Sequence, residues 1–159
     1  MTTTAVSFRP VEPADDPLLR RIYSSTREEE LNLTPWTAEQ KAAFLKMQFD
    51  AQDRHYRQHY PQGQFLMILQ GEVAAGRLYL DRSDREIRII DIALLPEFRN
   101  RGTGTFILRQ ILEEAARDGK AVTIHVESNN PAMRFYERLG FRRLGLNGIY
   151  FLMEWRPLS

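Results

Sequence analysis

The stretch Ile92-Ala93-Leu94-Leu95-Pro96-Glu97-Phe98-Arg99-Asn100-Arg101-Gly102-Thr103-Gly104 decides how this chain is read. Its first residues are apolar, as a buried strand requires, and Pro96 ends that strand. After Gly104, Leu108, Ile111, Leu112 and Ala115 recur at helical spacing. The segment therefore runs from strand through basic loop into helix. Glycines at such a turn let backbone N–H groups approach an anion closely. The helix start adds the positive end of its dipole, and Arg99 and Arg101 add charge. These properties suit a phosphate-bearing ligand. A dinucleotide fingerprint would need a third glycine where Ile107 stands, and a nucleotide P-loop would need Gly-Lys-Ser/Thr, so both are set aside. Taken alone, the Gly-x-Gly also fits a plain tight turn.

Working outward, the residues before the loop carry strand periodicity. Phe65 to Gln70, Val73 to Asp81 and Glu86 to Leu95 are separated by turns at Gly71-Glu72 and Ser83-Asp84, which predicts a three-strand meander. Further upstream the period is helical. Leu18, Leu19, Ile22 and Tyr23 predict a first helix to about Thr26, preceded by an edge strand over Ala5 to Arg9. Thr37 with Gln40 fits a capping box, with Pro35 as the first-turn residue of an earlier-starting alternative, and predicts a long helix to about His59. Downstream, Ala121 to Val126 reads as a short buried strand and Pro131 to Gly140 as a further helix. Two closing strands follow, near Arg142 to Leu144 and Ile149 to Trp155. Strands lead and then alternate with helices, so the fold class is α/β, a single domain over residues 1–159 with a mixed, mostly antiparallel sheet flanked by helices.

Composition bounds the function classes. The 159 residues suit one core, and 43% apolar with 27% charged residues is the balance of a soluble globular chain. No apolar run approaches the roughly 20 residues of a membrane span, and MTTTAVSFRP lacks the build of a secretory signal, so a cytoplasmic protein without a membrane partner is expected. Zero cysteines exclude disulfides and thiolate chemistry by the protein. Net charge is +1, with no basic stripe, which argues against nucleic acid as partner. His55 and His59 stand four apart on a helix, but neither a His-Glu-x-x-His nor a third ligand accompanies them, so no metal is expected.

A second motif sits about 30 residues beyond the loop: Asn130-Pro131-Ala132-Met133-Arg134-Phe135-Tyr136-Glu137-Arg138-Leu139-Gly140-Phe141. Together the two segments resemble the Gcn5-related N-acetyltransferase (GNAT) superfamily. That family pairs an Arg/Gln-x-x-Gly-x-Gly/Ala loop with a later Asn-Pro-Ala-x-x-Leu-Tyr-Glu-x-Leu-Gly-Phe stretch. Arg99 to Gly104 matches the loop in full, and Phe135 stands in for Leu. The beginning Arg9, Pro10, Pro13, Asp15 also looks like the family's first strand and helix, while residues 24 to 64 match loosely.

The resemblance implies acetyl-CoA, or another short acyl-CoA, as co-substrate. Its diphosphate would lie on the backbone amides of Arg101, Gly102, Thr103 and Gly104, with Arg99, Asn100 and Thr105 flanking them. Its pantetheine arm would lie along Ala93, Leu94 and Leu95, where a backbone N–H can polarise the thioester carbonyl. Asn130 and Arg134 match positions that touch the coenzyme in relatives, and Phe135 would pack near it. Tyr136 occupies the motif's tyrosine position and is the candidate acid for the departing thiolate. Asp91 and His125 are the candidate bases, since relatives place bases on either strand. At the family's frequent strand-four carboxylate position this chain has Arg88. Relatives line the acceptor groove between the first two helices, where Glu28, Glu29, Glu30 and Trp36 would suit a cationic amine. The implied partner is an amine-bearing small molecule or protein, and a homodimer is compatible with the family.

The chemistry needs a neutral amine. A lysine amine with a pKa of about 10.4 is only ~0.04% neutral at pH 7, whereas an α-amine near 7.8 is roughly 14% neutral. A lysine acceptor therefore demands a base far more than an N-terminal one does. The competing reading is a catalytically silent acyl-CoA-binding module, a sensor or interaction partner.

Overall fold

The computed structural model describes residues 5–158; the outermost residues of the 1–159 domain expectation, with the first four letters of MTTTAVSFRP, lie outside the described residues. The elements are β1 (Val6–Pro10), α1 (Asp16–Asn32), α2 (Ala38–His59), β2 (Gln64–Gln70), β3 (Val73–Arg82), β4 (Glu86–Leu94), α3 (Thr103–Asp118), β5 (Ala121–Glu127), α4 (Met133–Arg138), β6 (Arg142–Asn147) and β7 (Tyr150–Trp155). One seven-stranded sheet has the order β1-β2-β3-β4-β5-β7-β6. β1 runs antiparallel to β2, β4 parallel to β5, and β7 antiparallel to both β5 and β6. The expected mixed, mostly antiparallel sheet with flanking helices is thus the fold of this chain.

Two helix boundaries show local rules at work. Thr37 accepts from the Gln40 amide while the Gln40 side chain accepts from the Thr37 amide, so the capping box starts α2 and the earlier start at Pro35 is not used. The first helix, expected to end near Thr26, continues to Asn32. Arg27, Glu28, Glu29 and Glu30 are good helix formers with no breaker among them, and Arg27 pairs with Glu30 one turn on at 3.4 Å.

The described residues pack as two compact units, 5–79 with 92–103 and 80–91 with 104–158. In the first unit Leu19, Ile22 and Tyr23 of α1 pack with Phe49 of α2, Met67 of β2 and Leu95, and Tyr23 meets Phe49 edge-on at 6.0 Å. Asp15 is almost fully buried there beneath a two-pronged bond from Arg9, both arms 2.8 Å, and it also accepts from the Glu12 amide at 2.7 Å. In the second unit the buried residues are Ile87 and Ile89 of β4, Ile107, Leu108, Ile111 and Ala115 of α3, Val122, Ile124 and Val126 of β5, and Met153 of β7. Burial of these apolar faces, at about 25 cal/mol per Å² of surface removed from water, drives the packing in each.

Candidate active site

The first unit carries the glycine loop. β4 ends with Ala93 and Leu94, and the buried Leu95 donates its amide to the Ala75 carbonyl oxygen at 2.8 Å. Gly76 is the reason β3 can come this close, because a methyl group in its place would run into the Ala93 carbonyl oxygen. A short 3-10 turn over Pro96–Phe98 then redirects the chain. Arg99 locks the turn, donating from Nε to the Leu94 carbonyl oxygen at 2.9 Å and from Nη2 to Ser25 Oγ of α1 at 3.2 Å. Arg21 of α1 reaches Glu97 at 2.8 Å. Beyond this anchor Asn100 (φ 61°) and Gly102 (φ 82°) both take left-handed conformations.

The helix that follows begins at Thr103, whose hydroxyl donates to Gln70 Oε1 at 3.3 Å. The amides of its first turn have no acceptor within the helix. Among the described residues, no protein acceptor outside the helix and strand ladders meets the amides of residues 100–105. Gly104 lies just inside this helix with an ordinary φ, and a Cβ there would meet nothing within 4 Å. The fold does not require glycine at that position, and the backbone there is open to approach. The Arg101 side chain is exposed and, among the described residues, has no ion-pair partner.

The same unit carries the expected acceptor residues. Glu28, Glu29 and Glu30 are exposed on the last turns of α1, and Trp36, 39% exposed, leans on Phe44 at 5.1 Å in the connection to α2. His55 and His59 stack at 4.2 Å, and among the described residues no group of three or more potential metal ligands gathers.

The second unit carries the titratable groups. Tyr136 on α4 is 8% exposed, edge-on to Phe141 at 5.7 Å and beside Phe135 at 5.5 Å. Its pKa is pushed up to about 12, first by burial and then by the negative charge of Asp91. Among the described residues its hydroxyl makes no hydrogen bond to protein.

The two candidate bases part company. Arg88 pairs in register with Thr123, and its guanidinium bonds Thr123 Oγ1 at 2.7 Å and lies 3.2 Å from His125 Nδ1, so Arg88, Thr123 and His125 share one face of the sheet. Asp91 is three residues past Arg88 on the same strand, and side chains alternate, so it belongs to the opposite face with Ile87 and Ile89. Thr123 Oγ1 in turn donates to Glu86 at 2.5 Å, completing a row of polar groups across β4 and β5. Partial burial, and secondarily the Arg88 charge, hold the exposed His125 ring below the ordinary imidazole pKa. Asn130 Oδ1 accepts from the Ala132 amide at 2.9 Å in the turn ahead of α4, and with the exposed Arg134 it lines a cleft of the second unit.

The sequence pattern of the Acetyltransferase (GNAT) family matches residues 20–141, more than half of the chain. This chain belongs to the GNAT acetyltransferase family. Local similarity to curated relatives is confined to about 70 residues. It is 36% identical to the mouse (Mus musculus) cysteine-rich protein 2-binding protein over 44% of this chain and 9% of that protein. It is 34% identical to an N-alpha-acetyltransferase of Saccharolobus solfataricus over 42% of each. The chain thus spans less than half the length of either relative. The crystal structure of the paia N-acetyltransferase from Thermoplasma acidophilum in complex with coenzyme A superposes with a TM-score of 0.68 at 16% identity, covering 96% of this chain and 99% of that one, which shows that the GNAT fold is shared.

Three features of the site escaped sequence reasoning: Gly76, Ser25 as the anchor of Arg99, and Arg88 as the neighbour of His125. Only Gly76 left a signal, a glycine inside an otherwise apolar strand.

Proposed function

We propose that this GNAT chain is an acyl-CoA-dependent N-acetyltransferase that moves an acetyl group from acetyl-CoA to a primary amine of a small molecule, protein or peptide, with residues 1–159 working as one catalytic domain in the cytoplasm. The observation that carries the reading is the row of amides at the start of α3, which meets no acceptor outside the helix and strand ladders among the described residues, beside a glycine that the fold itself does not need.

When bound, the coenzyme supplies the acyl group as a thioester activated toward attack. The amides of Arg101, Gly102, Thr103, Gly104 and Thr105 would hold its diphosphate, aided by the dipole of α3 and the exposed Arg101. Arg99 acts on the loop by pinning it, and the pantetheine arm would lie along Ala93, Leu94 and Leu95, held by backbone groups other than the Leu95 amide and the Leu94 carbonyl oxygen, which are already bonded to Ala75 and Arg99. Asn130, Arg134 and Phe135 would contribute further coenzyme contacts. Tyr136 hands a hydrogen bond, rather than a proton, to the leaving sulfur. With its pKa at about 12 against about 8.5 for a thiol, full transfer would run uphill by about 5 kcal/mol, whereas donation from a neutral hydroxyl costs nothing of the kind. Asp91, whose charge Tyr136 feels, is the better supported base, acting on the amine directly or through water. His125 lies on the other sheet face, among Arg88 and Thr123. Glu28, Glu29, Glu30 and Trp36 would draw a cationic amine.

One observation favours the silent coenzyme-binding module instead: Arg88 stands where the family often has a carboxylate, and it is committed to Thr123 and His125. A panel of polyamines, aminoglycosides, amino acids, lysine peptides and N-terminal peptides, offered with acetyl-CoA and a thiol-reactive dye, tests the choice. Thiol release with acetylated product supports the enzyme. Coenzyme binding without release by any amine supports the silent module, and loss of binding itself removes both.

A further inference from the structure

On β4 and β5 of the second unit, Arg88 and Thr123 are register partners and His125 lies two residues beyond Thr123, so strand alternation sends all three side chains to one face. The row is tied together. Arg88 Nε donates to Thr123 Oγ1 at 2.7 Å, Thr123 donates in turn to Glu86, and the Glu86 carboxylate lies 3.9 Å from Arg88 Nη2. These contacts fix the plane of the guanidinium, whose Nη1 stands 3.2 Å from His125 Nδ1. A guanidinium has donors and no lone pair with which to accept, so the bond has one direction: Arg88 donates and Nδ1 accepts. The ring is held below the ordinary imidazole pKa of 6.5 by partial burial and then by the Arg88 charge, and at pH 7 a neutral imidazole carries a single ring proton. That proton is therefore on Nε2. The ring is exposed, its register partner on β7 is the half-buried Leu152, and Nε2 meets no protein acceptor among the described residues.

This leaves His125 no free lone pair with which to take a proton from an amine. Its open nitrogen is a donor, and a donor cannot serve the attacking amine, whose own lone pair must stay free. It needs a second acceptor atom on the substrate. Glu86 offsets the Arg88 charge, so a neutral carbonyl oxygen suits the site better than a carboxylate. An amine with a carbonyl group beside it is an α-amine, roughly 14% neutral at pH 7 against ~0.04% for a lysine, and so is the acceptor that depends least on a base.

We infer that Arg88 is a positioning residue that holds His125 as the Nε2–H tautomer, and that His125 thereby selects an acceptor with a carbonyl group next to its amine, as in an amino-acid amide or the first residue of a peptide. The selection rests on the function proposed above, and the tautomer does not. NMR on the whole chain reads the tautomer. The ring nitrogen shifts of His125 should show a protonated Nε2 and a bare Nδ1 in the wild type, with the Nδ1–H form appearing in Arg88→Met and receding in Arg88→Lys, which keeps a donor. A protonated Nδ1 in the wild type, or a ring unchanged in a folded Arg88→Met, overturns the positioning role. Turnover reads the selection, as kcat/KM for glycinamide divided by kcat/KM for ethylamine. The pKa difference between the two amines is the same for every variant and cancels. The ratio should fall about 3- to 10-fold in His125→Ala, the worth of one neutral hydrogen bond, by less in Arg88→Met, and recover in Arg88→Lys, with circular dichroism to check that each variant folds. An equal loss on both amines overturns the selection: with the acid limb of kcat/KM abolished it makes His125 a base, and with the limb in place it turns the donor onto the thioester carbonyl. A ratio that does not move in an active His125→Ala removes the selection and leaves the function standing. If the wild type turns over no amine at all, the function proposed above fails and the selection with it, while the tautomer is still decided by NMR.

Discussion

Arg99 reaches back over the turn it follows and donates its Nε–H to the carbonyl oxygen of Leu94, the last residue of β4, at 2.9 Å. With its second contact to Ser25 of α1, this ties the loop at both sides before the left-handed residues Asn100 and Gly102 are reached. The loop's shape therefore depends on a side chain that, by motif, would be counted only as charge for a ligand.

Arg99→Ala should loosen the loop more than the fold. Exposed polar ties of this kind contribute about 1 kcal/mol or less to global stability. Amide exchange at residues 100–104 should nevertheless accelerate and coenzyme affinity should fall several-fold, because the amides are no longer held in place. Exchange rates identical to wild type would show that the turn holds itself.

Gly104→Val and Gly76→Ala should separate ligand space from fold space. At Gly104 a side chain meets nothing in the protein, so thermal stability should stay within a few degrees while the coenzyme Kd rises about tenfold or more. At Gly76 the added methyl meets the Ala93 carbonyl oxygen, and a loss of about 3 kcal/mol or more is expected. Unaltered coenzyme affinity in Gly104→Val would mean that the loop is only a turn.

Tyr136→Phe should lower kcat about 10- to 100-fold with coenzyme affinity within a few-fold, since the hydroxyl acts on the leaving sulfur. The raised pKa carries a second consequence. Between pH 10 and about 12 the unfolded chain ionises this phenol and the folded chain does not, so stability falls as pH rises through that window. The total loss is about 2–3 kcal/mol, two pKa units at about 1.4 kcal/mol each, and it should be absent from the phenylalanine variant. Denaturant titrations at pH 9 and 11.5 measure it, and equal pH slopes in both proteins would refute the buried-phenol assignment.

Arg88→Gln should raise the His125 pKa toward the ordinary imidazole value, read from its ring proton shifts by NMR, because a lowering charge is removed. In the wild type, stability should decline as pH drops below about 6.5, where the unfolded histidine takes up a proton before the folded one. With Asp91 as base, the acid limb of kcat/KM stays put in Arg88→Gln. A limb that moves with the histidine would transfer the role of base to His125.

Asp15→Asn should cost about 1.5–3 kcal/mol, as it strips the charge from two bonds to Arg9 and one from the Glu12 amide. The Arg9 hydrogen bonds, foremost, hold the Asp15 carboxyl below its usual range. The stabilisation is present at neutral pH and is lost as acid is added, through the folded-state pKa below 3.8. An acid unfolding midpoint shared by variant and wild type would contradict this.

What was legible in the sequence was local. The Thr37–Gln40 cap, the Gly71 turn, the proline that closes β4 and the glycines before α3 each act within a few residues, so reading them in order recovers most element boundaries. The extension of α1 to Asn32 went unread because the polar helix formers Arg27 to Glu30 interrupt the apolar stripe that the buried Leu31 resumes.

Alone, then, the sequence determined the strand–loop–helix segment, because it rests on backbone conformations that glycine, proline and capping side chains impose within a turn or two, and its two motifs pointed to the family. The tertiary structure decided that β7 inserts between β5 and β6, that Asp91 and His125 face opposite sides of the sheet, that Arg99 ties the loop to Ser25, and that three arginines from α4 and β6 line one cleft. Each of these depends on which strands pair and in what register, and that is set by the burial of apolar faces far apart in the chain, a condition no short window of residues contains.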